Sequence, residues 1–276
     1  MNLKINKDFD PITSLKRCNY YRKKIIDISQ DVNALHAGGA FSSMEILDFI
    51  YFGLMKIKKK KILDTFILSK GHSSIAQYVI LESLGILKKS DLKNYCTKEG
   101  ILGAHPDYGN PGIEASTGSL GHGMGIATGI SYANKINNSK SNTFIVISDG
   151  ELQEGSTWET IMMAPNLKLN NLLCFIDHNG SQSFGETKKT HPNFYPISSK
   201  IKSFGWNCIE VDGHNPKKLS ETIKSLSKKK PNMILCNTVK GKGVSFMENK
   251  PIWHYRSPNK KEYEIAIKEL KGEDEK

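Results

Sequence analysis

Apolar and polar positions along this chain fall into two alternating periods. Residues 144–147, 172–176 and 233–236 are short, continuous apolar runs bounded by polar or turn-forming residues, the pattern of buried strands. Residues 65–69 and 207–211 predict two further strands. Between these runs the apolar residues recur at helical spacing. Leu15, Cys18, Arg22, Ile25, Ser29, Val32 and Leu35 mark one face of a helix of about six turns that ends near His36 and Gly39. Ser42 with Glu45 three residues on has the form of a capping box, opening an apolar helix through Met55; the lysine run 58–61 that follows predicts a solvated connector. Helices are also expected over 73–84 (closed by Gly85), 124–136 and 153–164. A further one carries Leu219, Ile223 and Leu226 behind the cap pair Asn215-Pro216, and the last spans 260–270 before a charged tail. Strands separated by helices at this spacing imply βαβ units: an α/β fold with a parallel sheet covered by helices on both faces, as a single domain over residues 1–276.

Chemistry gathers where two predicted strands end. Strand 144–147 runs into Ser148, Asp149 and Gly150, and strand 172–176 into Asp177, His178 and Asn179. The carboxyl edge of a parallel sheet is where such sheets bind ligands. A carboxylate, an amide oxygen and a nearby backbone carbonyl make an oxygen-rich half-shell for Mg²⁺, which expects phosphates and water to complete its octahedron. Gly150, lacking a Cβ, allows its N–H close to a diphosphate. Taken singly, Asp-Gly and Asn-Gly are also common turns. The glycine-punctuated stretch 100–125, with Gly118 and Leu120 in Ser-Thr-Gly-Ser-Leu-Gly, is long for a connection, and reads as a cofactor-cradling loop or a flexible surface loop.

Composition narrows the class. A hydrophobic share of 38% and a charged share of 24% suit a soluble α/β protein, and the polar start has no apolar signal core. The five cysteines are scattered, without a CxxC pair, and fit reduced thiols; a cytoplasmic location follows. The formal charge of +11 invites a nucleic-acid reading, but only Arg17, Arg22 and Arg256 are arginine and aromatic interleaving is absent. Neither nucleic acid nor membrane is expected as a partner.

Asp149-Gly150, Glu154-Gly155 and Asn179 thirty residues after Asp149 resemble the thiamine diphosphate motif. Trp158-Glu159 and the run Leu169, Asn170, Asn171, Leu172 resemble its transketolase version. The resemblance runs from about Arg17 to Pro258 and covers the amino-terminal third of a full-length transketolase, like a separately encoded amino-terminal subunit.

What it implies can be carried over position by position. Asp149 and Asn179 match the metal ligands, with the Ser181 carbonyl as the third, holding Mg²⁺ (Ca²⁺ or Mn²⁺ as substitutes) against thiamine diphosphate. Gly150 matches the diphosphate contact, and Gly118 and Leu120 the loop near the aminopyrimidine. His72 and His105 match donor-side histidines, and His36 and His254 histidines of the substrate channel; His72 and His254 also count among cofactor contacts. Glu154 matches a buried glutamate at the cofactor that links two active sites across the dimer. His122, His178, His191 and His214 match no catalytic position and are read as structural. Ser148, Ala104, His178 and Tyr255-Arg256 depart from the family pattern around the pocket.

The implied reaction is transfer of a two-carbon ketol unit from a ketose, expected to be phosphorylated, to an aldose. The family's glutamate for the aminopyrimidine lies in a pyrimidine-binding domain that no segment here matches. The resemblance therefore implies a partner, the carboxy-terminal transketolase subunit, in an α₂β₂ assembly. Two rivals are the α-type subunit of a 2-oxo acid dehydrogenase, and a non-catalytic scaffold that keeps the fold. Arg256, two residues after His254, reads either as a surface arginine or as a fork for an anionic substrate tail, with Tyr255 narrowing the channel.

Overall fold

The computed structural model describes residues 1, 3–32, 35–182 and 185–272. Five strands form one parallel sheet: β1 (Thr65–Leu68), β2 (Thr143–Ser148), β3 (Leu172–His178), β4 (Asn207–Asp212) and β5 (Asn232–Asn237), in the order β1-β2-β3-β5-β4. Successive strand residues point to opposite faces, and the core divides by that parity. Phe66, Leu68, Phe144, Val146, Phe175 and Ile234 belong to one buried cluster; Ile67, Ile145, Ile147, Cys174, Ile176 and Met233 belong to the other.

The first cluster is completed by α1 (Pro11–Ile28), α2 (Ala37–Ser42), α3 (Met44–Asp48) and α4 (Ser74–Ser83). The second takes Met124 and Ala127 of α5 (His122–Ile136), Ile161 and Ala164 of α6 (Gly155–Asn166) and Ile201 of α7 (Ile197–Ser203). Helices α8 (Pro216–Thr222) and α9 (Lys260–Gly272) return to the first face through Leu219 and Leu270. The expected sheet with helices on both faces is what forms, and Asn215 caps α8 with Pro216 in its first turn, as the sequence predicts. Among the described residues no helix is long and apolar enough to cross a membrane.

Two local expectations fail, the second because tertiary partners outcompete a local motif. Helix α1 stops at Ile28 rather than near His36, with Ser29 as its C-cap. Ser42 and Glu45 form no capping box. Ser42 is inside α2 and donates to Asp177, while Glu45 is buried between Arg22 and His214. The apolar stretch through Met55 is therefore broken into α2, α3 and a π-helical turn at Phe49–Leu54. The lysine run is exposed, as expected of a solvated connector, and makes a small hairpin, Ile57–Lys58 against Lys61–Ile62, with Lys59 and Lys60 left-handed at its tip. The charged tail from residue 273 lies outside the described residues.

Register decides where the strand ends meet. Ser148 lies opposite Asp177, and the Asp149 N–H donates to the Asp177 carbonyl at 3.3 Å. Asp149 and Asn179 therefore leave the sheet side by side, at the edge where β1 hands over to Lys70 and His72 and β5 to Thr238 and Lys240.

Candidate active site

A cavity of about 630 Å³ opens at this carboxyl edge. Asn179, Ser181 and Gly150 line one end of it; His36, His72, His105 and His254 line the other, with Gly118, Leu120 and Lys240 between or beside them. Loops and turns thus bring together residues that lie far apart in the sequence.

At the first end, Asp149 is buried and its carboxylate accepts N–H groups from Gly150 at 3.0 Å and Gly180 at 2.7 Å. Burial raises its pKa to about 6. Asn179 donates its side-chain amide to Asp177 at 3.2 Å and to Ser42 at 3.4 Å, while its Oδ1 accepts the Ser181 N–H at 3.0 Å. The Gly150 N–H expected to face a diphosphate is engaged by the Asp149 carboxylate, and Gly150 lies in ordinary helical backbone with room for a Cβ. Its lack of a side chain is not demanded by this chain's own packing.

Among the described residues there is no group of three or more His, Cys, Asp or Glu suited to a metal ion. A cation here would depend on mixed oxygen donors: one carboxylate, one amide oxygen and a backbone carbonyl. That set fits a hard ion such as Mg²⁺ whose remaining ligands come from a phosphate group and water.

The histidine end is built on short turns. His36 precedes α2, His72 sits in the turn Gly71–Ser73 after β1, and His254 in the turn Pro251–His254. The His36 ring lies 5.5 Å from that of His72, 5.9 Å from His105 and 5.3 Å from His254 between centroids. Gly118 lets His105 in: it has φ of +137°, and a Cβ there would stand 2.6 Å from the His105 ring. Burial first, then His254, His105 and two lysines, pull the His36 pKa down to about 3. Burial with Lys240 and Lys70 pulls His254 to about 4, and His72 also falls well below its ordinary value. These rings are neutral near pH 7, able both to donate and to accept.

Those shifts set a stability trend. In the unfolded chain the rings take up protons as pH falls below about 6.5, whereas the folded rings stay neutral until about 4 for His254 and 3 for His36. The unfolded state therefore binds more protons in that window, and stability falls as pH drops through it. Asp149 acts in the opposite sense between its folded value of about 6 and its ordinary 3.8, because the folded state protonates it first. Burial also raises the pKa values of Asp48 and Glu151, which act in the same sense as Asp149, so the histidines' share is read against a variant that lacks them. Between pH 7 and about 4.5 the melting temperature is expected to fall more steeply, or rise less, in the unsubstituted chain than in the His36→Gln/His254→Gln variant in calorimetry. An identical slope in that variant would remove the histidines from the account.

Several placements differ from expectation. Glu154 reaches the cavity but is exposed in this chain, not buried. His191, set aside as structural, lines the cavity. His178 holds Asn237 through Nδ1 at 2.8 Å and brings Nε2 to 4.0 Å from Asp149; His214 is structural, bonded to Glu45 and to the Val239 N–H. Lys240 was missed altogether. It is buried, stands 3.0 Å from His254 Nδ1, and burial followed by Lys70 lowers its pKa to about 8. The signal for it was present: a lysine in a glycine-containing turn just past the end of a parallel strand.

Arg256 does not line the cavity. Its Nη2 donates to both oxygens of Glu262 at 2.7 and 2.8 Å and the guanidinium stacks on Trp253 at 4.3 Å, so the side chain is engaged in anchoring α9. Arg256→Lys is accordingly expected to leave KM for anionic sugars within about twofold and to lower the melting temperature slightly. A tenfold rise in KM would restore the substrate role. Tyr255, by contrast, does lie at the site, its ring 4.4 Å from that of His36.

A family profile described as "Transketolase, thiamine diphosphate binding domain" matches residues 14–273. The chain is 34% identical over 261 residues to an apulose-4-phosphate transketolase subunit of Phocaeicola vulgatus, covering 92% of each chain. It is 33% identical over 264 residues to a 6-deoxy-6-sulfo-D-fructose transketolase subunit of a Clostridium species, covering 93% of this chain and 96% of that one. In fold it superposes on transketolase from Campylobacter jejuni with a TM-score of 0.86 at 23% identity, covering 95% of this chain and 43% of that one. It therefore spans less than half the length of that transketolase. With its fold, its strand-end motif and these relatives agreeing, the chain belongs to the transketolase family, of which it carries the thiamine diphosphate-binding domain.

Proposed function

We propose that this chain is the amino-terminal subunit of a split transketolase, transferring a two-carbon ketol unit between sugars with Mg²⁺ and thiamine diphosphate. The convergence of four imidazoles and Lys240 on the cavity beside Asp149 and Asn179 carries the reading. Relatives of nearly the same length that are named as subunits support the split arrangement. Bound thiamine diphosphate supplies the carbanion chemistry for cleaving and forming a carbon–carbon bond beside a ketose carbonyl.

This chain's residues divide the remaining tasks. Asp149, Asn179 and the Ser181 carbonyl would hold Mg²⁺, and the Gly118–Leu120 loop would help to bind the cofactor. Neutral His72, together with His105, hydrogen-bonds the donor's hydroxyl groups and stabilises charge developing on oxygen. His36 and His254 continue that polar wall along the channel, and Lys240 gives it a positive charge suited to an anionic ketose. A carboxy-terminal subunit with the pyrimidine-binding domain completes the site, in an assembly with two copies of each chain.

The test is a ketol-transfer assay on the mixed subunits, using a phosphorylated ketose and a sulfo-ketose as donors. Aldose release dependent on both subunits is expected. Decarboxylation of pyruvate instead would assign the chain to the 2-oxo acid dehydrogenase class, and failure to bind Mg²⁺–thiamine diphosphate with the partner present would make it a scaffold.

A further inference from the structure

Beneath the cavity lies a fully buried ion pair between Lys70 and Asp177, with neither side chain reaching solvent. Lys70 follows β1 and also donates to the Gly39 carbonyl in α2 at 2.9 Å. Asp177, near the end of β3, accepts further from Ser42 at 2.6 Å, from Thr238 after β5, and from the Asn179 side-chain amide at 3.2 Å. A buried pair of this kind commonly adds little net stability, so its presence calls for another explanation.

We infer that the Lys70–Asp177 pair is a positioning unit for the metal end of the site, fixing which end of the Asn179 amide is offered to the cation. An asparagine side chain presents an oxygen one way round and an NH₂ group the other. Only the oxygen serves a cation. The Asp177 carboxylate claims the NH₂ group, and the Ser181 N–H, donating at 3.0 Å, holds Oδ1 on the opposite side. Lys70 makes this arrangement tolerable, because Asp177 would otherwise be a second unbalanced carboxylate beside Asp149. The same ammonium group ties in Gly39 of α2, the helix that His36 precedes, and Lys70 itself leads into the turn that carries His72. One buried cation thus keeps the metal end and the histidine end in fixed relation. Asp177 and Lys70 act through Asn179 and do not themselves touch the ligand.

The inference rests on the reading of Asp149, Asn179 and Ser181 as Mg²⁺ ligands, and the experiment separates the two. The chain assembled with its partner subunit is titrated calorimetrically with thiamine diphosphate in Mg²⁺. Lys70→Met combined with Asp177→Leu removes both charges and the acceptor; cofactor affinity is expected to fall at least about tenfold, with circular dichroism unchanged. Lys70→Met combined with Asp177→Asn keeps an oxygen to accept the Asn179 amide, and affinity is expected to return to within about threefold of the unsubstituted complex. Undiminished affinity in the first double variant overturns the inference, as does an equal loss in both. A failure of the unsubstituted complex to bind overturns the metal reading and this inference with it. Should the apolar variant not fold, ¹⁵N-asparagine labelling of the unsubstituted complex decides: slow exchange of the Asn179 side-chain amide protons supports the inference, and exchange as fast as at exposed asparagines overturns it.

Discussion

Asp149→Ala is expected to remove Mg²⁺-dependent binding of thiamine diphosphate by the assembled enzyme, weakening it by more than about a hundredfold. The carboxylate is the sole negatively charged group in the proposed half-shell of Asp149, Asn179 and Ser181. Neither neutral oxygen can replace its charge against a divalent cation next to a diphosphate. The fold should survive. Asp149 stands one residue past β2, outside both hydrophobic clusters, and its loss leaves the Gly150 and Gly180 N–H groups without their acceptor, a local cost of about 1–3 kcal/mol. Asn179→Ala should act in the same direction. Calorimetry on the reconstituted complex checks both, and binding indistinguishable from the unsubstituted protein in the two variants would refute the metal assignment.

The second large effect concerns the partner. The chain alone is expected to transfer no measurable ketol units, with mixing raising the rate by at least about 1,000-fold, toward the upper range of what positioned acid–base groups contribute. The physical ground is an open site. Enclosed ligand sites bury most of their ligand, whereas here His105, His191 and Glu154 are exposed at the cavity they line. The missing wall is where the resemblance puts the pyrimidine-binding domain and its glutamate. Glu154, expected to be buried, is exposed because its burying surface belongs to another polypeptide in this reading. Steady-state kinetics of the two separate chains and of their mixture decide the matter; efficient transfer by the isolated chain would end the proposal of a shared site.

The sheet was legible because parallel strands buried on both faces leave continuous apolar runs, and their ends were legible because polar residues and glycines begin where those runs stop. Asp149 and Asn179 could therefore be placed side by side from the sequence. The histidines were different. Nothing in the local pattern around His36, His72, His105 or His254 distinguishes them from capping histidines, and only the family resemblance predicted that they would meet. Reading by local motif went astray where a polar side chain had a distant partner. Ser42 and Glu45 looked like a cap, but Asp177, Arg22 and His214 claim them from 135, 23 and 169 residues away. Arg256 looked free because Glu262 sits on a helix whose packing the sequence does not display. Lys70 and Lys240 were hidden among many solvated lysines; their place just past a strand end is the sequence's one hint, and burial is what sets them apart.

The placement of β2 and β3 in the middle of the sheet has a kinetic consequence. Each is flanked by strands on both sides and packed between two cores, whereas β4 forms one edge and is only half buried along its length. Local opening starts where few apolar contacts hold an element, so fraying should begin at β4 and reach the central strands last. Asp149, Asp177 and Asn179 ride on the ends of those late-opening strands. On the proposed split arrangement, this chain's half of the site is already assembled before the partner arrives, so its side of the association needs docking rather than folding.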